Sequence, residues 1–226
     1  MDLGLLPSAD ELWPRKNEYQ GEVPYLELSP VWLILNSKEQ YCLKNQLEKI
    51  VEKLGSNYPS DVSVDENHGP VYIDDSATLE PGIHIIGPTY IGPEAIIRQG
   101  AYVRSYSWIC FQAVVGHCSE VKHSILLPKA KAPHFNYVGD SVIGSEANLG
   151  AGVKLSNLRN DGGEVHTRHS DQRIPTGLRK FGALIGEKCQ LGCNAVLNPG
   201  VILGAGCSVF PNLTVSGIHP PNEKIR

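Results

Sequence analysis

The sequence predicts an all-β fold in which the chain winds as a parallel β-helix behind a short helical N-terminal cap. The main observation is that aliphatic residues recur at every sixth position, a period that fits neither an α-helix nor an ordinary strand. In such a repeat each hexad supplies one strand and one corner, with the aliphatic side chain inside the prism. The aliphatic positions are Ile73, Leu79, Ile85, Ile91, Ile97, Val103, Ile109, Val115, Val121, Ile143, Leu149, Ile185, Leu191, Leu197, Leu203, Val209 and Val215.

Two other positions of the hexad support this fold. Small residues dominate the fifth position, as a narrow corner requires. It holds Ala77, Thr89, Ala95, Ala101, Ser107, Ala113, Ser119, Ala147, Cys189, Ala195, Val201 and Cys207. The position after the aliphatic residue is often glycine, at Gly92, Gly116, Gly144, Gly150, Gly186, Gly192 and Gly204. We expect these glycines to adopt the unusual φ of a tight corner.

Residues 1–65 contain no hexads and are predicted to form the N-terminal cap. Ser37 with Gln40 resembles a capping box, and an amphipathic helix is predicted over 37–54, ending at Gly55. Its apolar residues recur at helical spacing, at Leu43, Leu47, Ile50, Val51 and Leu54. Solenoids need covered ends, so this apolar face is expected to cover the end of the prism or a neighbouring subunit.

The β-helix domain is predicted over 66–226, with two interruptions. Val121 and Ile143 are 22 residues apart, which is not a multiple of six and predicts a local irregularity of four residues. Leu149 and Ile185 are 36 residues apart, a multiple of six, so the repeat continues in phase. The polar segment between them predicts a long loop at about 154–184, and long loops on rigid scaffolds often carry function.

Composition excludes several classes of function. The net charge is -4 and no block of Lys or Arg occurs, which argues against nucleic-acid binding. The sequence contains no run of about 18 apolar residues, so we expect no membrane span. The first residues do not resemble a secretory signal. The six cysteines lack zinc or disulfide spacing, so we expect free thiols and a cytoplasmic protein.

Three hexads carry a cation where others have glycine: Arg98, Arg104 and Lys122. These cations could form a solvated face or an anion site for phosphate or carboxylate. His134 and Tyr137 lie within the irregular stretch, and this position makes His134 a candidate for chemistry, although a lone histidine is more often structural.

A family resemblance follows from these residues. The segments IGPEAIIRQG (91–100), VGHCSEVKHS (115–124) and KAPHFNYVGDSVIGSEANLGAG (131–152) resemble the acetyltransferase domain of the bifunctional enzyme that makes UDP-N-acetylglucosamine, in its bacterial and archaeal-type versions. The similarity continues through SNLRNDGG and GLRKFGALIGEKCQLGCNAVLNPGVILGAG, and so covers about 71–218. It implies a left-handed β-helix, an exception to right-handed crossovers, and a homotrimer with active sites between subunits.

The resemblance also implies residue roles in nucleotide-sugar biosynthesis. His134 corresponds to the general base, which takes a proton from the amino group before that nitrogen attacks a thioester. The amino-sugar 1-phosphate is expected at Arg98, Lys122, Tyr137, Asn148 and Lys180. The co-substrate acetyl-CoA is expected near Ala151, Asn157, Leu158 and Cys193, and the reaction requires no metal.

Departures from the family pattern leave alternatives open. The nucleotidyltransferase half is not found in this chain, so we do not expect uridylyl transfer. Gly163 and His166 stand where archaeal-type versions carry lysines, which leaves the amino sugar undetermined. One alternative is a non-catalytic subunit that oligomerises with or regulates a separate nucleotidyltransferase. Another alternative is an acyltransferase for a nucleotide-linked amino sugar or a lipid A precursor. A third is a zinc-dependent carbonic anhydrase. The spacing of His117 and His123 argues against this enzyme, because residues six apart lie on adjacent sides of the prism and do not stack.

Overall fold

The computed structural model describes residues 6–169 and 172–226, and it confirms the predicted left-handed parallel β-helix with a helical N-terminal segment. Three parallel sheets of eight strands form the walls of a prism, and each coil passes from sheet 1 to sheet 2 to sheet 3. Sheet 1 contains β1 (Ser63–Asp65), β4 (His84–Ile86), β7 (Tyr102–Val103), β10 (Glu120–Lys122), β13 (Tyr137–Gly139), β16 (Lys154–Leu155), β21 (Val196–Leu197) and β24 (Thr214–Val215).

The other two walls follow the same pattern. Sheet 2 contains β2 (Val71–Ile73), β5 (Thr89–Ile91), β8 (Ser107–Ile109), β11 (Ser124–Leu126), β14 (Val142–Ile143), β19 (Ala183–Ile185), β22 (Val201–Leu203) and β25 (Ile218–His219). Sheet 3 contains β3 (Thr78–Leu79), β6 (Ile96–Ile97), β9 (Val114–His117), β12 (Lys131–His134), β15 (Asn148–Leu149), β20 (Gln190–Leu191), β23 (Ser208–Val209) and β26 (Lys224–Ile225). We call the bends between walls the 1–2, 2–3 and 3–1 corners.

The aliphatic residues of the hexads fill the interior of the prism. Along sheet 2, for example, Ile73, Ile91 and Ile109 stack in register on successive coils. All three are buried in the main core cluster. Burying one such side chain contributes about 1.5–3 kcal/mol, so the repeat itself supplies much of the stability.

The irregular stretch consists of two deletions of one residue. Val121 pairs with Val103, which is 18 positions earlier, whereas Val138 pairs with Val121 and Leu155 with Val138, each 17 positions apart. Both deletions fall at the 1–2 corner, and the hexad that contains His134 has its normal length. The predicted irregularity of four residues is therefore wrong. The sequence could not distinguish the two cases, because a separation of 22 residues is both two short of 24 and four more than 18.

The glycines after the aliphatic positions serve close packing between coils. None of the seven has a positive φ. A Cβ on Gly116 would lie 1.7 Å from the carbonyl oxygen of Pro133, and one on Gly144 would lie 2.5 Å from the nitrogen of Glu187. The predicted role in corner φ is wrong, because the positive φ at the 3–1 corner belongs to other residues, such as Gly100 and Gly152.

The N-terminal segment contains two α-helices, α1 (Ala9–Leu12) and α2 (Leu43–Leu54), with a 3-10 helix at Val31–Leu35 between them. Helix α2 ends at Gly55 as predicted, but it begins six residues later than 37, without a capping box. The side chain of Asn36 accepts a hydrogen bond from the amide of Lys38, and this local bond favours turns over helix. No helix in the described part of the chain is long and apolar enough to span a bilayer.

The apolar residues of this segment cover the outer face of sheet 2. Trp13 donates its indole N–H to the carbonyl of Ile185 at 2.8 Å, and Trp108 donates to the carbonyl of Glu22 at 3.0 Å. The expectation that this segment covers the end of the prism or another subunit is therefore wrong. The reason is that the outer face of sheet 2 carries a row of large apolar residues, namely Tyr90, Trp108, Ile125, Val142, Leu184 and Ile202.

The boundaries of the β-helix differ slightly from those expected. Its first strand begins at Ser63, three residues before 66. The expected loop at 154–184 is narrower, since 154–155 and 183–185 are strands of the prism. Within it, β17 (His166–His169) and β18 (Gln172–Pro175) pair as an antiparallel hairpin.

Candidate functional site

A buried carboxylate organises the 1–2 corner where the coils are shortened. Asp140 follows β13 and is 4% exposed. Its Oδ1 lies 2.8 Å from Nδ1 of His123, and its Oδ2 lies 3.4 Å from Nζ of Lys122 and accepts a hydrogen bond from the side chain of Asn157. Because both deletions fall at this corner, Lys122 and His123 of one coil meet Asp140 of the next.

The electrostatics of this cluster favour a charged Asp140. Burial by itself raises the pKa of the carboxyl group. The hydrogen bond and charge of His123, then Lys122 and Asn157, outweigh burial and lower the pKa below its ordinary value. Asp140 is thus a fixed anion that holds three polar side chains in place.

Tyr137 lies beside this cluster on the outer face of sheet 1. A Cβ on Gly139 would lie 2.7 Å from the hydroxyl of Tyr137 and 2.8 Å from Nδ2 of Asn157, so the glycine leaves room for both polar groups. Burial, followed by the charges of Glu120 and Asp140, raises the pKa of Tyr137. Its phenol therefore stays protonated at neutral pH and can donate a hydrogen bond.

Arg104 lies next to Lys122 on the neighbouring coil, since Val103 and Val121 are paired. Its guanidinium donates to Glu120 at 2.7 Å. Arg104, Lys122 and His123 line a cleft of about 380 Å³, and Lys44 from α2 contributes to its wall. The N-terminal segment thus reaches the candidate site.

His134 lies at the other end of the sheet 1 strands, at the 3–1 corner where these strands begin. Its backbone N–H donates to Oδ1 of buried Asn136 at 3.0 Å, and its carbonyl accepts from Gly152 at 2.9 Å. The main chain is therefore held firmly, while the side chain is exposed. His134 and Tyr137 are three residues apart, so β13 leads from this histidine to Asp140.

A second histidine, His117, pairs in register with His134 on the adjacent coil. Its Nδ1 lies 2.8 Å from the carbonyl oxygen of Gln99. A carbonyl only accepts, so Nδ1 carries the hydrogen, and Nε2 lies 3.5 Å from Sγ of Cys118. The ring of Phe135 packs against it edge-on at 5.2 Å.

The remaining predicted residues are distributed over several positions. Ala151 and Cys193 occupy the 3–1 corner on the coils that follow His134, and the amide of Asn194 donates to the carbonyl of Ala151 at 2.8 Å. Arg98 is also at this corner, away from Lys122, and Asn148 lies on the outer face of sheet 3. Leu158 and Lys180 form an isolated bridge at the base of the loop, where both are exposed.

The family resemblance assigned no role to His123 or Asp140, and it placed the phosphate at Arg98 and Lys122 without Arg104. The spacing of 18 between Arg104 and Lys122 indicates stacked positions on adjacent coils and could have identified the pair. The contact of His123 with Asp140 depends on a 17-residue coil, which the sequence does not reveal. In the described residues, no group of three His, Cys, Asp or Glu side chains is arranged to hold a metal ion.

The hexads and three parallel sheets define the class: a β-helix protein of the hexapeptide-repeat type. A family model described as the GMPPB C-terminal domain matches residues 85–171. The chain is 35% identical over 173 residues to YaiX of Escherichia coli, whose name assigns it to the acetyltransferases, and the match covers 76% of this chain and 75% of that protein. The chain belongs to the hexapeptide-repeat acetyltransferase family.

Longer relatives share the same region. The chain is 36% identical over 199 residues to the bifunctional sugar-1-phosphate nucleotidylyltransferase/acetyltransferase of Sulfurisphaera tokodaii, covering 88% of this chain and 47% of that protein. It therefore spans about half the length of such curated relatives. A solved Bacillus cereus protein described as an acetyltransferase is 17% identical, with a TM-score of 0.43, and the match covers 72% of this chain and 77% of that one.

Proposed function

We propose that this protein transfers the acetyl group of acetyl-CoA to the amino group of an amino-sugar 1-phosphate, either glucosamine 1-phosphate or a close relative. The observation that carries the proposal is the layout of sheet 1. An exposed histidine lies at one edge, a cluster of cations lies at the other, and Tyr137 lies between them. An amino-sugar phosphate has two matching groups, an amino group for the histidine and a phosphate for the cations.

The acceptor phosphate binds at the edge formed by Lys122 and Arg104, with the hydroxyl of Tyr137 as a further donor. Arg104 and Lys122 are already paired with Glu120 and Asp140, so their remaining N–H groups serve the phosphate. Arginine offers five donors in a planar fork suited to phosphate. Asn148 and Lys180 are the other proposed contacts of this substrate, together with Arg98.

His134 is the proposed general base. It takes a proton from the amino group as the nitrogen forms a bond to the thioester carbonyl carbon, and coenzyme A leaves as the carbon–sulfur bond breaks. Holding both reactants in line can lower the barrier by several kcal/mol, which is the role of the phosphate contacts.

Acetyl-CoA is placed along the 3–1 corner. Small side chains at Ala151 and Cys193 leave this corner open to an extended thioester. Asn157 and Leu158 lie at the 1–2 corner, across sheet 1, so in the proposed trimer they contact the coenzyme from the neighbouring subunit. The supporting observation is that Ala151 and Cys193 continue the same corner as His134 on the next two coils.

We also propose a homotrimer in which a second subunit closes the exposed side of His134. Light scattering is expected to give three times the 24.6 kDa chain mass. A monomer that is fully active would contradict shared sites.

The test of function is a thiol-release assay with acetyl-CoA and a panel of amino-sugar phosphates and nucleotide-linked amino sugars. We expect free coenzyme A to appear fastest with an amino-sugar 1-phosphate. Release only with a nucleotide-linked sugar would correct the acceptor. Inactivity with the whole panel would contradict catalysis and favour a non-catalytic partner of a separate nucleotidyltransferase.

A further inference from the structure

The hairpin β17–β18 forms a cationic groove with late coils of the prism. Arg159, His166, Arg168 and Arg173 line a cleft of about 460 Å³ whose other wall includes Asn198 and Ser216. No carboxylate is among the described residues that line it. Three arginines around one concavity stand out in a chain whose net charge is -4.

Two of these arginines oppose each other. Arg168 and Arg173 are directly paired across the antiparallel hairpin. Like charges at opposed positions destabilise a strand pair, and a bound anion between them removes that cost. Arg159 is held nearby by an ion pair with Asp161 and by a 3.1 Å hydrogen bond to the carbonyl of Glu164.

The hairpin is seated closely on the scaffold. A Cβ on Gly217 would lie 2.8 Å from the carbonyl oxygen of Arg168, and one on Gly200 would lie 2.9 Å from Cγ1 of Val165. Thr167 of β17 and Ile174 of β18 form a pair whose side chains are buried. The backbone that carries Arg168 is therefore held in place before any ligand binds, which reduces the entropy lost on binding.

The groove continues towards the proposed coenzyme site. An adjoining cleft is lined by Ser156, Leu158 and Asn160, and it shares Arg159, Asn198 and Pro199 with the arginine groove. A ligand that passes Leu158 thus has a continuous path to Arg168 and Arg173.

We propose that this arginine groove binds a phosphate group carried by one of the two substrates. Guanidinium groups bind phosphate oxygens through paired, charge-assisted hydrogen bonds. The phosphates of coenzyme A and the phosphate of the acceptor share this chemistry, and both sources rest on the proposed function. The path past Leu158 leads us to expect the coenzyme.

The first arm of the test is titration calorimetry with coenzyme A and with 3′-dephospho-coenzyme A. We expect Arg168→Ala/Arg173→Ala to raise the Kd for coenzyme A by at least about tenfold. Removing the 3′-phosphate should weaken binding to the wild type more than to this variant. The control, Lys38→Ala/Lys49→Ala, removes two exposed positive charges that do not line the groove and should leave the Kd unchanged.

The second arm measures KM for both substrates. A rise in KM for acetyl-CoA with little change in kcat supports the coenzyme as the source, and a rise only in KM for the amino-sugar phosphate supports the acceptor. Unchanged Kd and KM in the double variant would overturn the proposal, as would a wild type that binds neither compound. A wild type that binds coenzyme A but acetylates nothing contradicts the proposed function only, because the calorimetric arm still reports on the groove.

The arginine substitutions are expected to leave folding intact. Removing opposed like charges relieves repulsion, so the Tm of the double variant in phosphate-free buffer should not fall. A large loss of Tm would direct the test to the single variants Arg168→Gln and Arg173→Gln, which remove the charge but keep a polar side chain and part of the aliphatic stem.

Discussion

At the scale of single residues, the candidate site depends on side chains fixed by their backbone or by a buried partner. His134 has a hydrogen-bonded main chain and an exposed ring, whereas His123 is bound to Asp140. These two histidines lie at opposite edges of sheet 1 and are expected to behave differently when substituted. The first is proposed to transfer a proton, and the second to maintain the cation cluster.

Replacing His134 by alanine is expected to lower kcat by about 10²–10⁴-fold, because this range is typical for removal of a general base. The measurement is thiol release under saturating substrates, with the Tm recorded for each protein. His219→Ala, at the far end of the prism, is the matched control and should retain activity. Full activity of the His134 variant would rule out its catalytic role.

Replacing Asp140 by asparagine is expected to destabilise the protein by about 3 kcal/mol at pH 7, because Lys122 loses its buried counter-charge. The folded-state pKa of Asp140 is lowered, so its stabilisation is present above the ordinary carboxyl pKa and is lost as the pH falls below about 4. The gap in Tm between wild type and variant should therefore narrow from pH 7 to pH 3. A gap that is the same at both values would refute this linkage.

At the scale of elements, glycines set the spacing between coils, because a Cβ at these positions would push adjacent coils apart. Gly116 and Gly82 provide a matched pair, because both are near the 3–1 corner but differ in their surroundings. A Cβ at Gly116 would overlap the carbonyl of Pro133, whereas one at Gly82 would meet nothing within 4 Å. Gly82 has a φ of +77°, so alanine there is strained by backbone conformation alone.

Gly116→Ala is therefore expected to destabilise the protein by more than about 3 kcal/mol, because the next coil must shift. Gly82→Ala should cost only about 1 kcal/mol, the usual penalty for a left-handed φ. Thermal unfolding of the two variants provides the comparison. Equal losses of Tm would contradict contact between coils as the reason for glycine at position 116.

At the scale of the whole molecule, the N-terminal segment acts as a cover for one wall of the prism. Its buried residues, including Trp13 and Trp32, pack on the outer apolar face of sheet 2. A prism with such an apolar face on sheet 2 needs this cover to remain soluble, because large exposed apolar patches promote association.

Removing residues 1–61 is expected to leave a chain that aggregates and binds a hydrophobic dye. Light scattering and dye fluorescence at equal protein concentration measure both effects. A milder variant, Trp32→Ala, should remain soluble but lose about 3–5 kcal/mol of stability. A truncated chain that stays monodisperse without dye binding would contradict the covering role.

The sequence alone determined the repeating wall, because a period of six is a local property that survives any tertiary arrangement. It also determined the end of α2 at Gly55 and the family resemblance that points to His134. Only the tertiary structure decided which side chains meet across coils, such as His123 with Asp140, because this depends on two deletions that cannot be located from spacing. Only the tertiary structure also showed what the N-terminal segment covers. Its apolar residues pack on the outer face of sheet 2, and this face forms only when strands from distant parts of the chain come together.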